Sequence, residues 1–115
     1  MPKLINKKGE RIFPIEQGTV TSTIGSIKYI KHGNIVIYTA NFNTSSINTG
    51  ATELTSALPY YNPNMVFVGG AVERVGNVTV NHATLHATTE GNLTAYHTEY
   101  GNQVEFIGSV TVILE

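Results

Sequence analysis

The stretch SIKYIKHGNIVIYTANF, residues 26–42, decides the fold. Two runs rich in β-branched and aromatic residues flank His32-Gly33-Asn34, and such residues pack well on a pleated sheet. The central glycine tolerates the positive φ that a tight hairpin turn requires. Residues 26–31 and 35–42 are therefore predicted to form two antiparallel strands.

The rest of the chain repeats this character. Valine, isoleucine and threonine account for 37 of the 115 residues, and β-branched side chains lose rotamer freedom in a helix. A second hairpin is predicted from residues 83–88 and 93–98 around Glu90-Gly91-Asn92. Turn signals recur every 8–12 residues or so, and no stretch carries a helical stripe. We expect an all-β fold, an antiparallel jelly-roll-like β-sandwich of about eight strands.

The length fits one domain, divided into an extended N-terminal arm at residues 1–18 and a head domain at residues 19–115. Four of the seven basic residues lie in the first eleven positions, so a basic arm precedes a mildly acidic body. The net charge of −1 argues against a nucleic-acid partner. We expect no membrane partner and no signal peptide, because no apolar run is long enough for either.

Chemical machinery is not evident in the sequence. The absence of cysteine excludes disulfides and thiolate metal sites. His82 and His86 would lie about 13 Å apart on one strand, so we expect no metal site within a chain, although a histidine repeated around a trimer axis stays open. The glutamates are scattered and no serine-nucleophile or phosphate-binding motif is present. We expect no cofactor and no enzyme, unless a pocket gathers two glutamates and a histidine.

Aromatic and amide side chains gather in two predicted loops. A tyrosine ring can cover the apolar face of a sugar while amides and carboxylates bind its hydroxyl groups. Tyrosine is also common on β surfaces and at subunit contacts, which is the alternative interpretation. The candidate saccharide-binding residues are Tyr60, Tyr61, Asn62 and Asn64 in the first loop and Tyr96, His97, Glu99 and Tyr100 in the second.

Four segments resemble a known group of proteins. Residues 4–15, LINKKGERIFPI, resemble the entry segment of tail proteins from phages of Gram-positive hosts, and residues 27–42 are similar to their Tyr-x-x-x-Gly-Asn-x-Val hairpin. Residues 58–68 resemble their Leu-Pro segment before an apolar strand, and residues 89–114 resemble their terminal strands. This order of features is similar to that of the C-terminal heads of bacteriophage tail-fibre and receptor-binding proteins.

The resemblance implies a homotrimeric head in the virion, made in the bacterial host's cytoplasm, that adsorbs to cell-surface saccharide without cleaving it. Residues 1–18 would then contact other tail or baseplate proteins. The chain departs from those fibres because it lacks their long stalk. A structural virion or baseplate subunit without glycan binding is the alternative, and a small β-fold enzyme is the third.

Overall fold

A computed structural model describes residues 4–5, 11–12, 15–22, 24–44, 51–76, 78–97 and 104–114. Every regular element in these ranges is a β-strand. The ten strands are β1 (Leu4–Ile5), β2 (Arg11–Ile12), β3 (Ile15–Ser22), β4 (Gly25–His32), β5 (Ile35–Thr44), β6 (Ala51–Thr55), β7 (Phe67–Val75), β8 (Val78–Ala87), β9 (Leu93–Tyr96) and β10 (Val104–Ile113).

Eight strands form one antiparallel sheet in the order β3-β4-β5-β10-β7-β8-β9-β6, curled into a half-barrel. The short strands β1 and β2 pair with each other. The prediction of an all-β antiparallel fold with about eight strands is confirmed. β3 begins inside the predicted arm of residues 1–18 and continues past it, and the arm and the sandwich stay predictions.

Both predicted hairpins are confirmed. β4 and β5 pair from His32 opposite Ile35, and Gly33 makes the turn at a φ of 62°. β8 and β9 pair from Ala87 opposite Leu93, with Gly91 at a φ of 83° in the connection. The positive φ at both glycines is the conformation for which glycine has no steric cost.

The hydrophobic core is formed by side chains on the concave face of the sheet, where every second residue of the central strands is buried. A row of small residues crosses four strands on this face: Ala40, Gly108, Ala71 and Ala83 are consecutive cross-strand partners. A Cβ added to Gly108 would lie 2.5 Å from the Cβ of Ala71. The curled sheet therefore leaves no room here for larger side chains.

The convex face is apolar at one end. Ile30 lies opposite Ile37 on β4 and β5, and Ile35 lies opposite Ile113 on β5 and β10. Ile15 extends this surface to the edge strand β3, because it pairs with His32 on the same face. We call the five residues Ile15, Ile30, Ile35, Ile37 and Ile113 the isoleucine face.

Candidate functional site

Tyr60, from the first predicted cluster, lies in a network of polar contacts. Its phenol donates a hydrogen bond to Oε2 of Glu16 at 2.6 Å, and Tyr29 donates to the same oxygen at 3.3 Å. The Nζ of Lys31 lies 5.2 Å from the centre of the Tyr60 ring, within cation–π range. We call Glu16, Tyr29, Tyr38 and Tyr60 the tyrosine cluster.

Tyr38 anchors this cluster from the core. Its fully buried phenol donates to the carbonyl oxygen of Tyr60 at 2.5 Å and accepts from the Tyr60 amide at 3.0 Å. Burial raises the pKa of Tyr38 to about 12. The hydrogen bond to Glu16 raises the pKa of Tyr60, and desolvation, followed by the charge of Glu16, raises the pKa of Tyr29. All three phenols are therefore held in the neutral form.

The rest of the first predicted cluster supports the loop before β7. Asn62 is buried, donates from Nδ2 to the carbonyl oxygen of Ile113 at 2.9 Å, and accepts from the Asn64 amide at 2.8 Å. Tyr61 packs on Gly91, where an added Cβ would lie 3.0 Å from its ring. The polar groups of Tyr60 and Asn62 are thus engaged within the chain, where they fix the loop.

Tyr96, from the second predicted cluster, lies on the convex surface at the end of β9. It is 47% exposed, and the ring of His86 packs edge-on against it with centres 4.3 Å apart. His86 in turn shares a hydrogen bond of 3.1 Å with Oγ1 of Thr84. This part of the second cluster has an aromatic ring held in place and open to solvent.

A cavity of about 260 Å³ opens beside this ring. We call it the β8–β9 cavity. It is lined by His82, Ala83, Thr84, Tyr96 and His97. The structure thus places two of the sequence-predicted residues, Tyr96 and His97, at one cavity. Glu99 and Tyr100 lie outside the described residues. Tyr61 contacts Gly91, which precedes β9, whereas Tyr96 is the last residue of β9. The two predicted clusters are therefore separate places on the molecule.

His97 connects this cavity to the core. Its Nε2 lies 2.9 Å from Oγ1 of Thr52, and its Nδ1 lies 3.9 Å from Oε1 of Glu73. The side chains of His97 and Glu73 are fully buried, and the imidazole packs on Phe106 with ring centres 5.1 Å apart. Hydroxyl, imidazole and carboxylate follow one another in space, but the 3.9 Å between His97 and Glu73 exceeds the roughly 2.6–3.2 Å reach of a nucleophile relay. The enzyme alternative requires two glutamates and a histidine in one pocket, and this group contains Glu73 and His97.

Sequence reasoning missed Thr52 and Glu73. Glu73 had a signal, because strand alternation in Ala71-Val72-Glu73 places its carboxylate on the same face as Ala71. A charge on the buried face of a strand is rare without a partner. Thr52 had no signal, since it is one of 15 threonines and its partner His97 lies 45 positions away.

A second cavity, of about 450 Å³, lies beside the edge strand β3. Gln17, Thr19, Lys28 and Ile30 line it together with the ring of Tyr29, which covers Gly18. The phenol of Tyr29 is already bonded to Glu16.

The comparisons with family models and with curated proteins identify no relative of this chain. No family model matches the chain, and no curated protein is significantly similar to it. Within the described ranges, no group of three histidine or acidic side chains is close enough to hold a metal ion. The same ranges contain no helix with the length and apolar character needed to cross a membrane.

Proposed function

We propose that this chain is the receptor-binding head domain of a bacteriophage tail fibre or baseplate, and that it binds host cell-surface carbohydrate without cleaving it. The observation that carries the proposal is the exposed Tyr96 ring beside the β8–β9 cavity. Saccharide sites combine an aromatic surface with a small number of fixed polar groups, and this cavity has both.

Each lining side chain has a role in this proposal. The Tyr96 ring would cover the apolar face of one sugar ring, and the edge-on contact with His86 would keep it from rotating away. Thr84 and His82, which also line the cavity, would bind sugar hydroxyl groups. Because His86 already fixes the orientation of Tyr96, ordering the site on binding costs little conformational entropy.

The charge-poor polar composition and the resemblance of the four sequence segments support the phage assignment. In this proposal the head is a homotrimer in the virion, and residues 1–18 join it to other tail or baseplate proteins. The finer fold prediction belongs to the same proposal: a jelly-roll-like sandwich in which β3 and β6, the two ends of the curled sheet, face each other across the core.

An array of purified bacterial cell-wall polysaccharides, probed with the wild-type protein, tests the proposal. We expect specific binding to at least one polysaccharide, and at least tenfold weaker binding by Tyr96→Ala, because loss of a central aromatic anchor costs about 2 kcal/mol or more and about 1.4 kcal/mol is tenfold. Val78→Ala is the control, since Val78 is 61% exposed and is not among the residues that line the cavity. Absence of wild-type binding, or equal loss in both variants, would contradict the proposal.

A structural virion subunit without glycan binding is the second candidate, and the isoleucine face favours it. Aliphatic side chains exposed on one face of a sheet are typical of surfaces that contact other proteins. This candidate differs from the first in one measurable way. A subunit of this kind would assemble normally and bind none of the polysaccharides on the array.

A further inference from the structure

Exposed aliphatic side chains are not spread evenly over this molecule. Each residue of the isoleucine face is 44–59% exposed. Val68 lies on the adjacent part of β7, and Met65 and Val66 lie just before that strand, in the segment that follows the Asn62 contact with Ile113. These eight residues are most of the eleven large hydrophobic side chains that are exposed in the described ranges.

Polar residues replace isoleucine farther along the same strands. On the convex face, Lys28 lies opposite Thr39 and Ser26 opposite Asn41. On β10, Ser109 lies opposite Thr39. The apolar surface is therefore bordered on this side by polar residues, as at the rim of protein–protein interfaces. Single exposed hydrophobic residues are ordinary, whereas a contiguous group with such a rim indicates a partner.

We propose that the isoleucine face binds a second copy of this chain. Its cross-strand neighbours Gln17 and Thr111 are uncharged, and the third neighbour is His32. Two identical faces can therefore meet without like-charge repulsion, while a strongly charged partner finds no complementary group at the centre of this surface.

The size of the surface fits the same partner. Eight half-exposed aliphatic side chains present apolar surface on the order of several hundred Å². A stable interface buries roughly 800 Å² on each partner, with an apolar centre and a polar rim. The isoleucine face and its neighbours supply the centre, and the surrounding threonine, serine and asparagine side chains supply the rim. Self-association uses the surface twice, so both halves of the interface are already present in one sequence.

Light scattering on the purified protein tests this inference. The mass is measured at a series of concentrations in the micromolar range. We expect a mass of two or more 12.5 kDa protomers. Ile37→Lys and Ile30→Lys should each give monomers or at least tenfold weaker association, because each places a charge at the centre of the contact. Val78→Lys is the control: Val78 is more exposed, at 61%, and lies outside the face.

A monomeric wild-type protein would overturn the inference. This holds both for a face that is open to solvent and for a face that another segment of the chain covers. So would an unchanged mass in both isoleucine variants, or equal dissociation caused by Val78→Lys. Circular dichroism should show the same strand content in all variants, because the substituted side chains lie on the surface. A mass of two protomers would support the inference but contradict the proposed trimer. The glycan array tests carbohydrate binding independently of the mass.

Discussion

The phenol of Tyr38 bonds to both polar backbone groups of Tyr60, donating to its carbonyl oxygen at 2.5 Å and accepting from its amide at 3.0 Å. Tyr38 lies in the centre of β5, and Tyr60 lies in the loop between β6 and β7. One buried side chain thus provides a hydrogen-bonding partner for a loop that has no strand partner at this point.

Tyr38→Phe should lower the free energy of unfolding by about 1–3 kcal/mol, because it leaves two partly buried backbone groups of Tyr60 without this partner. Urea unfolding followed by circular dichroism measures the change. Tyr61→Phe is the control, and we expect a change within about 0.5 kcal/mol for this half-exposed side chain. Equal effects of the two substitutions would show that the Tyr38 hydroxyl has no special role.

Alkaline pH should destabilise the protein through the same phenol. The pKa of Tyr38 is raised from 10.0 to about 12, so the folded state retains its proton where the unfolded chain has lost it. The stability that this group contributes is complete below pH 10 and is lost as the pH rises toward 12. The raised pKa values of Tyr29 and Tyr60 act in the same direction. Tyr38→Phe should show a smaller loss of stability across this range than the wild type in matched urea titrations.

Adjacent glycines in β7 should respond differently to alanine. A Cβ on Gly69 would lie 1.9 Å from the carbonyl oxygen of Ser109 and 2.7 Å from the Cα of Val110, whereas a Cβ on Gly70 would meet nothing within 4 Å. Because the Gly69 obstacles are backbone atoms of β10, we expect Gly69→Ala to cost about 1–3 kcal/mol. Gly70→Ala should be neutral or stabilise by up to about 1 kcal/mol, since it restricts the unfolded chain. Thermal unfolding distinguishes the two, and the reverse order would disprove the close approach.

The buried Glu73 and His97 should be energetically coupled. Leaving one buried polar group without its partner costs about 1–3 kcal/mol, whereas replacing both partners with apolar side chains is often tolerated. Glu73→Leu and His97→Phe should therefore each destabilise the protein, and the double variant should lose less than the sum, by at least about 1 kcal/mol. Urea unfolding of all four proteins completes the cycle. The half-exposed Arg74–Glu105 pair is the comparison, and we expect a coupling below about 1 kcal/mol there.

Local sequence patterns predicted the parts of this fold that depend on neighbouring residues. Gly33 and Gly91 each lie in the short connection between two strands that are consecutive in the chain. Both hairpins could therefore be predicted from the sequence. The order of the sheet was not. β10 pairs with β5, about 70 positions earlier in the chain, and strand periodicity does not specify such a partner. A sandwich of two sheets and a single curled sheet give the same alternation of residues.

The candidate site was predictable only in part. The prediction for Tyr96 depends on aromatic residues around turns often binding sugars, and Tyr96, at the end of β9, does line a cavity. Its neighbours His82 and Thr84 come from β8, and sequence spacing alone did not place them beside it. Asn62 was chosen on the same reasoning, but its amide is engaged by the Ile113 carbonyl. Whether an amide is available to a ligand depends on a distant strand.

The position of β10 has a kinetic consequence. It follows every other described strand in the sequence, yet it lies between β5 and β7 in the sheet. During synthesis, β3-β4-β5 and β7-β8 can form as local hairpins, but neither group has its neighbour until β10 arrives. Until then the facing edges of β5 and β7 expose unpaired backbone groups, which are sites for aggregation. We therefore expect the protein to fold slowly, because the sheet is completed only when β10 is inserted. Until that step, we expect the nascent chain to depend on chaperones.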